Sequence, residues 1–292
     1  MNDYVIACTS VTDLDAQILK DREIPYVRFK MIMNGKEYAD DFFESYPYEQ
    51  FYGDIVKGMM PTTSQAGWFD YQNMFESILK EGKDVLHITV SSALSGDHSG
   101  ACLVAEELNR KYENQVTVID SLGASSGYGL LVMLAKDNQE KGMSYEDNCR
   151  WVKENRLRIH HWFISTDLSS FIRGGRLSKA AGLFGTALKI CPLMNVSAEG
   201  SLNVFDKIRT KKRALEALLS SMSEYADFHQ DYDGPVYLCQ SRMEEDAQQL
   251  KEKILERFPK VKDVRIFRIG TTIGAHTGPG TVALFFLGGN RK

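Results

Sequence analysis

Three stretches of this chain concentrate small hydroxyl side chains at spacings that could hold an anion: "MPTTSQAG" at 60–67, "TVSSALSGDHSG" at 89–100 and "IGTTIGAHTGPGTV" at 269–282. Serine, threonine and glycine offer little apolar area, so none of the three can pack a core by itself. What they offer is donors. Thr62, Thr63 and Ser64 precede a predicted helix, and Ser91, Ser92 and Ser95 precede another expected to begin near Asp97. Free backbone amides at such a start, flanked by hydroxyls, suit a carboxylate or a phosphate. The same residues also read as an ordinary Ser/Asp-capped helix with Gly96 easing the turn. In the third stretch Thr271, Thr272 and Thr277 alternate with Gly270, Gly274, Gly278 and Gly280 around His276. That imidazole can donate a hydrogen bond to an anion in either tautomer, and it gains charge where the anion raises its pKa.

Other chemistries fit less well. His160 and His161 are adjacent and would point to opposite sides of a strand, while His87 lies inside the strand-like "VLHITV", so no metal-ligand spacing is present. No stretch matches GxxxxGK[ST], and the glycines of "GAHTGPG" read as a loop leading into an apolar strand, not a strand-to-helix GxGxxG, so ATP is not expected as a direct ligand. A hydrolase triad could be drawn from Ser92, His276 and Asp120, yet neither "SALSG" nor "DSLGASSGYG" forms GxSxG. No catalytic residue is assigned. "FIRGGRLSKA" at 171–180 differs in kind, because Arg173, Arg176 and Lys179 crowd a Gly-Gly turn. Arginine forks select planar carboxylates and phosphoryl groups, so the turn reads either as a solvated basic surface or as a docking face for an acidic partner or a phosphate.

The elements that must position these residues follow a β-then-α rhythm. "YVIACTS", "DVLHITVSS" and "VTVIDS" read as nearly all-apolar strands, each followed by a helical pattern, which predicts a parallel sheet buried on both faces with ligand loops at the strands' carboxyl ends. Asn34-Gly35 signals a hairpin, a helix is expected near 40–59, and Phe69, Met74, Phe75, Ile78 and Leu79 have helical spacing. Beyond residue 160 the order changes to a strand, a glycine turn, a short helix with Ala180, Leu183 and Leu188, two strands around Glu199-Gly200, a charged helix near 207–222 and three further strands. The prediction is an α/β protein of two domains, a parallel-sheet domain over 1–160 and a mixed-sheet domain over 161–292.

Composition agrees with a folded, unspecialised surface. The chain has 292 residues, 43% of them hydrophobic, enough for one sizeable core or two domains. Thirty-five Lys and Arg against 39 Asp and Glu give a net charge of -4, which provides no general attraction for nucleic acid. Five scattered cysteines without CxxC spacing argue against a disulfide scaffold or zinc site and fit a reducing cytoplasm. No apolar run approaches the roughly 20 residues that span a bilayer, so a soluble, unprocessed protein is expected.

Six motifs in order carry a resemblance: "TSVTDL" after the first strand, "TTSQ" at 62–65, "SSALSG" at 91–96, "IDSLGASSGYG" at 119–129, "RGGRLSKAAGLFGTALKICPL" at 173–193 and "GAHTGPG" at 274–280. Together they resemble the DegV family of bacterial fatty-acid-binding proteins over essentially the whole chain. The resemblance implies a two-domain fold with a lipid tunnel between the domains and a long-chain fatty acid as the bound ligand. Its carboxylate would be held by Thr62 or Thr63, by Ser92, and by Thr272 and His276 of the last stretch. It also implies that Arg173 and Arg176 resemble the face turned toward the catalytic subunit of fatty acid kinase. Nucleotide and metal would sit only on that partner, and this chain would be a non-catalytic, cytoplasmic subunit supplying acyl groups to phospholipid synthesis, with transient membrane contact left open. Ala93, Ala66-Gly67 and Asp97-His98 depart from the family pattern. Asp97 would repel an anion unless it points away.

The physical logic is independent of the resemblance. Each buried CH₂ contributes about 0.8 kcal/mol, so a tail of about 16 carbons yields about 10 kcal/mol before ordering costs. A carboxylate carried into the same apolar space needs donors around it. Presentation to a kinase, carriage or sensing with another partner, and autonomous hydrolysis remain the three readings.

Overall fold

The computed structural model describes residues 3–178 and 190–292. The short helix expected around Ala180, Leu183 and Leu188, together with Lys179, lies outside them. In chain order the elements are β1 (Tyr4–Thr9), α1 (Ala16–Asp21), β2 (Tyr26–Val27), β3 (Lys30–Met33), β4 (Lys36–Ala39), α2 (Tyr48–Val56), β5 (Thr62–Ser64), α3 (Trp68–Lys80), β6 (Asp84–Thr89), α4 (Asp97–Leu108), β7 (Val116–Asp120), α5 (Ser125–Glu140) and α6 (Tyr145–Asn155). They continue with β8 (Ile159–Ser165), α7 (Ser169–Arg173), β9 (Ile190–Val196), β10 (Leu202–Arg209), α8 (Lys211–Tyr225), β11 (Val236–Ser241), α9 (Glu244–Arg257), β12 (Val264–Arg268), α10 (Thr271–Thr277) and β13 (Thr281–Leu287).

The β-then-α rhythm forms a parallel sheet of order β2-β1-β6-β7. All six residues of β6 are buried, as a central strand covered on both faces requires. The later strands form a six-stranded mixed sheet, β10-β9-β8-β13-β11-β12, in which only β11 and β12 run parallel. Period-two alternation divides this sheet's side chains between two cores. Phe163, Cys239, Ala283 and Phe285 join the core of the parallel sheet, whereas Trp162, Leu238, Val282, Leu284 and Phe286 pack with residues of α8 and α9 on the other face. Helix α5 contacts β8, β11 and β13 as well as β1, so it fills the interval between the sheets.

Three local expectations are corrected. "TTS" is not a loop leading to a helix but β5, the edge of a small antiparallel sheet β4-β3-β5 that includes the Asn34-Gly35 hairpin. The helix expected over 40–59 occupies only Tyr48–Val56, because Asp41 accepts the Ser45 amide and hydroxyl and holds the preceding residues in a turn. The stretch "TTIGAHT", read as a glycine loop, is helix α10. Gly274 lies within it because a Cβ there would come within 2.5 Å of the Tyr52 hydroxyl, so packing against α2, not turn geometry, demands glycine.

Candidate functional site

Two adjacent strands form the floor of the site. Their cross-strand pairs are Thr281↔Ser165, Ala283↔Phe163 and Phe285↔His161, and Thr281, Ala283, Phe285, Phe163 and His161 all line a cavity of about 400 Å³. The opposite wall is built by Val11, Phe29 and Val90 from the parallel-sheet half, and Val196, Leu202 and Ile269 add further apolar side chains. An apolar chamber between the two sheets results from the alternation of β8 and β13 together with the loops leaving β1 and β6.

The polar lining closes into a ring through contacts between distant segments. Thr63 Oγ1 and His276 Nε2 lie 2.8 Å apart and join β5 to α10. A Cβ on Gly174 would stand 2.4 Å from His276 Nδ1, so the Gly-Gly turn after α7 packs directly on the imidazole and must be glycine there. From the same turn Arg176 donates to the carbonyls of Gly174 (2.6 Å) and Leu94 (3.0 Å), which carries the ring to Ser95 and Gly96 before α4. Gln65, two residues beyond Thr63, lies over Gly96 and Gly100, where an added Cβ would meet its amide at 3.0 and 3.1 Å. Thr63, Gln65, Ser95, Gly96, Arg176, Thr272 and His276 all face the cavity.

The electrostatics favour an incoming anion. Burial, then the positive charges of Arg176 and Arg173, lower the His276 pKa to about 4, so the ring is neutral near pH 7. His276 Nδ1 has no hydrogen-bond partner among the described residues. If Nε2 carries the hydrogen and donates it to Thr63 Oγ1, no N–H is left unpaired and the Thr63 hydroxyl is free to donate to a ligand. The Thr272 hydroxyl, one helical turn before His276, is buried and unpartnered by hydrogen-bond geometry, though close enough to Asp40 to favour that carboxyl's charged form. Asp97 does not oppose an anion here: it accepts the Tyr71 hydroxyl at 2.7 Å away from the cavity, and burial raises its pKa to about 7.

Of the residues singled out in the sequence, Thr63, Thr272, His276 and Arg176 meet at the cavity. Thr62 and Ser92 do not. Thr62 is exposed on β5 opposite Ile32, and Ser92 is exposed with its amide on the Asp120 carboxylate at 3.2 Å. The suggested Ser92–His276–Asp120 triad therefore does not assemble, since His276 pairs with Thr63 and Asp120 accepts backbone amides. Arg173 is exposed and donates to Ser170 Oγ at 3.0 Å, so the two arginines of one turn have different surroundings. Sequence reasoning named Ser95 only among the hydroxyls flanking the helix start, and it missed Gln65 as a lining residue. The signal for Ser95 was the helix start itself: Leu94 and Ser95 amides both bond the Ser91 carbonyl, curling the loop so that the residues just before α4 face inward. No local pattern marks Gln65. Among the described residues no group of His, Cys, Asp and Glu could hold a metal ion, no helix is long and apolar enough to cross a membrane, and all five cysteines are free.

Parallel and mixed sheets enclosing an apolar chamber with one polar ring define an α/β protein suited to an amphipathic anion. The family model described as an uncharacterised protein of the DegV family matches residues 5–288, and the chain belongs to that family. A DegV domain-containing protein of Clostridium perfringens is 34% identical over the full length of both chains. The structure of a DegV family protein from Thermus thermophilus, described as fatty acid binding, superposes with a TM-score of 0.88 at 26% identity, covering 99% of this chain and 100% of that one. A fatty acid binding DegV family protein from Streptococcus agalactiae gives 0.85 at 25% identity, with the same coverage.

Proposed function

We propose that this chain binds one long-chain fatty acid, its carboxylate at the Thr63–His276–Arg176 ring and its tail along the inner face of β8 and β13. One observation carries the reading: a largely apolar cavity of about 400 Å³ gathers the Thr63 hydroxyl, the His276 imidazole and the Arg176 guanidinium into one connected ring. The asymmetry matches an amphiphile with a single charged end. The described ligands of the Thermus thermophilus and Streptococcus agalactiae relatives support the same reading. Native mass spectrometry before and after denaturation tests it. One acyl chain per protein is expected after incubation with C14 to C18 acids, and a chain that takes up none of them overturns it.

The finer proposal is that the bound carboxylate is presented to a separate ATP-dependent kinase subunit. That partner would transfer the γ-phosphoryl group of ATP to a carboxylate oxygen, releasing ADP and leaving an acyl-phosphate for phospholipid synthesis. Two features support it: the ring includes the turn after α7, where Gly175 is exposed, and exposed Arg173 stands near Arg176 in the same segment, offering a cation to an approaching partner. Carriage or sensing with a different partner is the alternative, and acyl-phosphate formation with added kinase and ATP separates the two.

A further inference from the structure

The far end of the cavity is closed by a histidine. From Thr281, beside the end of α10, to Phe285 the floor runs four residues along β13, roughly 13 Å at about 3.3 Å per residue, and Phe285 is paired there with His161. On the other face of the mixed sheet lies a second cavity of about 600 Å³, lined by the rings of Trp162, Phe205 and Tyr225 and by the polar Asn195, Asp227 and Arg291. His161 and Val196 line both cavities, just past the Trp162↔Asn195 pair where β8 and β9 part, and form the partition that closes the first.

The partition is built to stay in place. His161 Nδ1 donates to the Ile159 carbonyl at 2.9 Å and Nε2 accepts the Ala124 amide at 3.3 Å, which fixes both the tautomer and the ring plane. The ring is wedged against Gly123 and Gly127, where an added Cβ would approach Nε2 to 2.6 and 2.4 Å. That contact accounts for two glycines of "SLGASSGYG", which serve the packing of a residue about 35 positions later. Behind it the buried Arg291 donates to the carbonyls of Val196, Ser197 and Leu122 at 2.7 to 3.0 Å, tying the end of β9 to the loop after β7. Carbon atoms arriving at this wall must stop or displace a hydrogen-bonded ring that is backed by a buried guanidinium.

Resting on the fatty-acid reading, we propose that His161 is a specificity-determining residue that sets the longest acyl chain this protein accepts by closing the far end of the tail cavity. The test is competition binding of saturated straight-chain acids from C12 to C24, run on the full chain and on His161→Ala and His161→Phe. Wild type is expected to bind more tightly with each added carbon up to a ceiling and then to lose affinity. His161→Ala frees the space of the ring at the end of the tail cavity, so its ceiling should move up by at least two carbons, with about a tenfold gain for the first acid beyond the wild-type limit. His161→Phe loses the hydrogen bonds but keeps the bulk, so its ceiling should remain. Val196→Ala, which thins the other half of the partition, gives the same upward shift in smaller degree and serves if His161→Ala does not fold. An unchanged ceiling in the alanine variants, with shorter acids still bound, overturns the proposal. So does an equal shift in His161→Phe, which would make hydrogen-bond loosening the cause. Failure of wild type to bind any acid is a different result, because it defeats the fatty-acid reading beneath this one.

Discussion

Helix α10 serves two polar sites that treat negative charge in opposite ways. At its start, Gly270 N–H donates to Asp13 (2.9 Å) and Thr271 Oγ1 donates to Asp40 (2.8 Å), while Ser125 and Ser10 donate to the same two carboxyls from other elements. Along the rest of the helix, Thr272 and His276 line the cavity, with the Thr63 hydroxyl on His276 Nε2 and Arg176 alongside. The first site brings its own carboxyl groups and is complete. The second has donors and positive charge but no acid, which is how a chain that binds a carboxylate should differ from one that only folds around its own.

The largest expected effect comes from removing the internal acid. Asp13→Ala leaves the Gly270 amide and Ser125 hydroxyl without their acceptor in a buried site, and a loss of about 2 to 5 kcal/mol in stability follows, read as a lower denaturant midpoint at unchanged slope. Removing donors at the other site should do the reverse. Thr63→Ala or Ser95→Ala should weaken fatty-acid binding by about 1 to 3 kcal/mol with little change in unfolding, whereas Ser92→Ala and Thr62→Ala should leave the binding isotherm unchanged. Equal losses in all four variants would mean that the ring does not hold the head.

Titration separates the sites more finely. Burial raises Asp13 from 3.8 to about 8, so the folded chain keeps a proton that the unfolded chain has lost; this contribution is full below about pH 4 and disappears as pH rises through 8. Burial lowers His87 from 6.5 to about 3 with neither ring nitrogen bonded, so its contribution is full above about 6.5 and is lost as pH falls toward 3. Between pH 7 and 8 His87 is silent, and wild type should lose roughly 1 kcal/mol that Asp13→Asn does not. Urea unfolding at the two pH values measures the difference, and parallel slopes would remove Asp13 as its source.

The smallest expected effect belongs to Arg173. Its exposed guanidinium bonds only Ser170 among the contacts described, so Arg173→Ala should change fatty-acid affinity by less than about 0.5 kcal/mol. Acyl-phosphate formation with a kinase subunit should nevertheless fall if this residue faces that partner. Arg176→Ala should reduce both readouts, because Arg176 lines the cavity. A matched response in the two variants would dissolve the distinction drawn within one turn.

The sequence by itself determined the elements marked by composition and turn chemistry: the nearly all-apolar strands such as β6, the hairpin at Asn34-Gly35, and the hydroxyl stretches from which the polar ring is drawn. These are legible because a strand covered on both faces must be nearly all apolar, and because Asn-Gly suits the tight turn of a hairpin. It did not determine which hydroxyls face inward. Thr62 and Thr63 differ only in the side of β5 they occupy, and Ser92 and Ser95 differ by a curl in a loop, so a pairing register and a turn made the choice. Nor could it foresee that α10 is helical, that Gly174 lies on His276, or that Gly123 and Gly127 make room for His161. Those contacts join residues 34 to 102 positions apart, where no local period operates and only the close packing of one element on another decides.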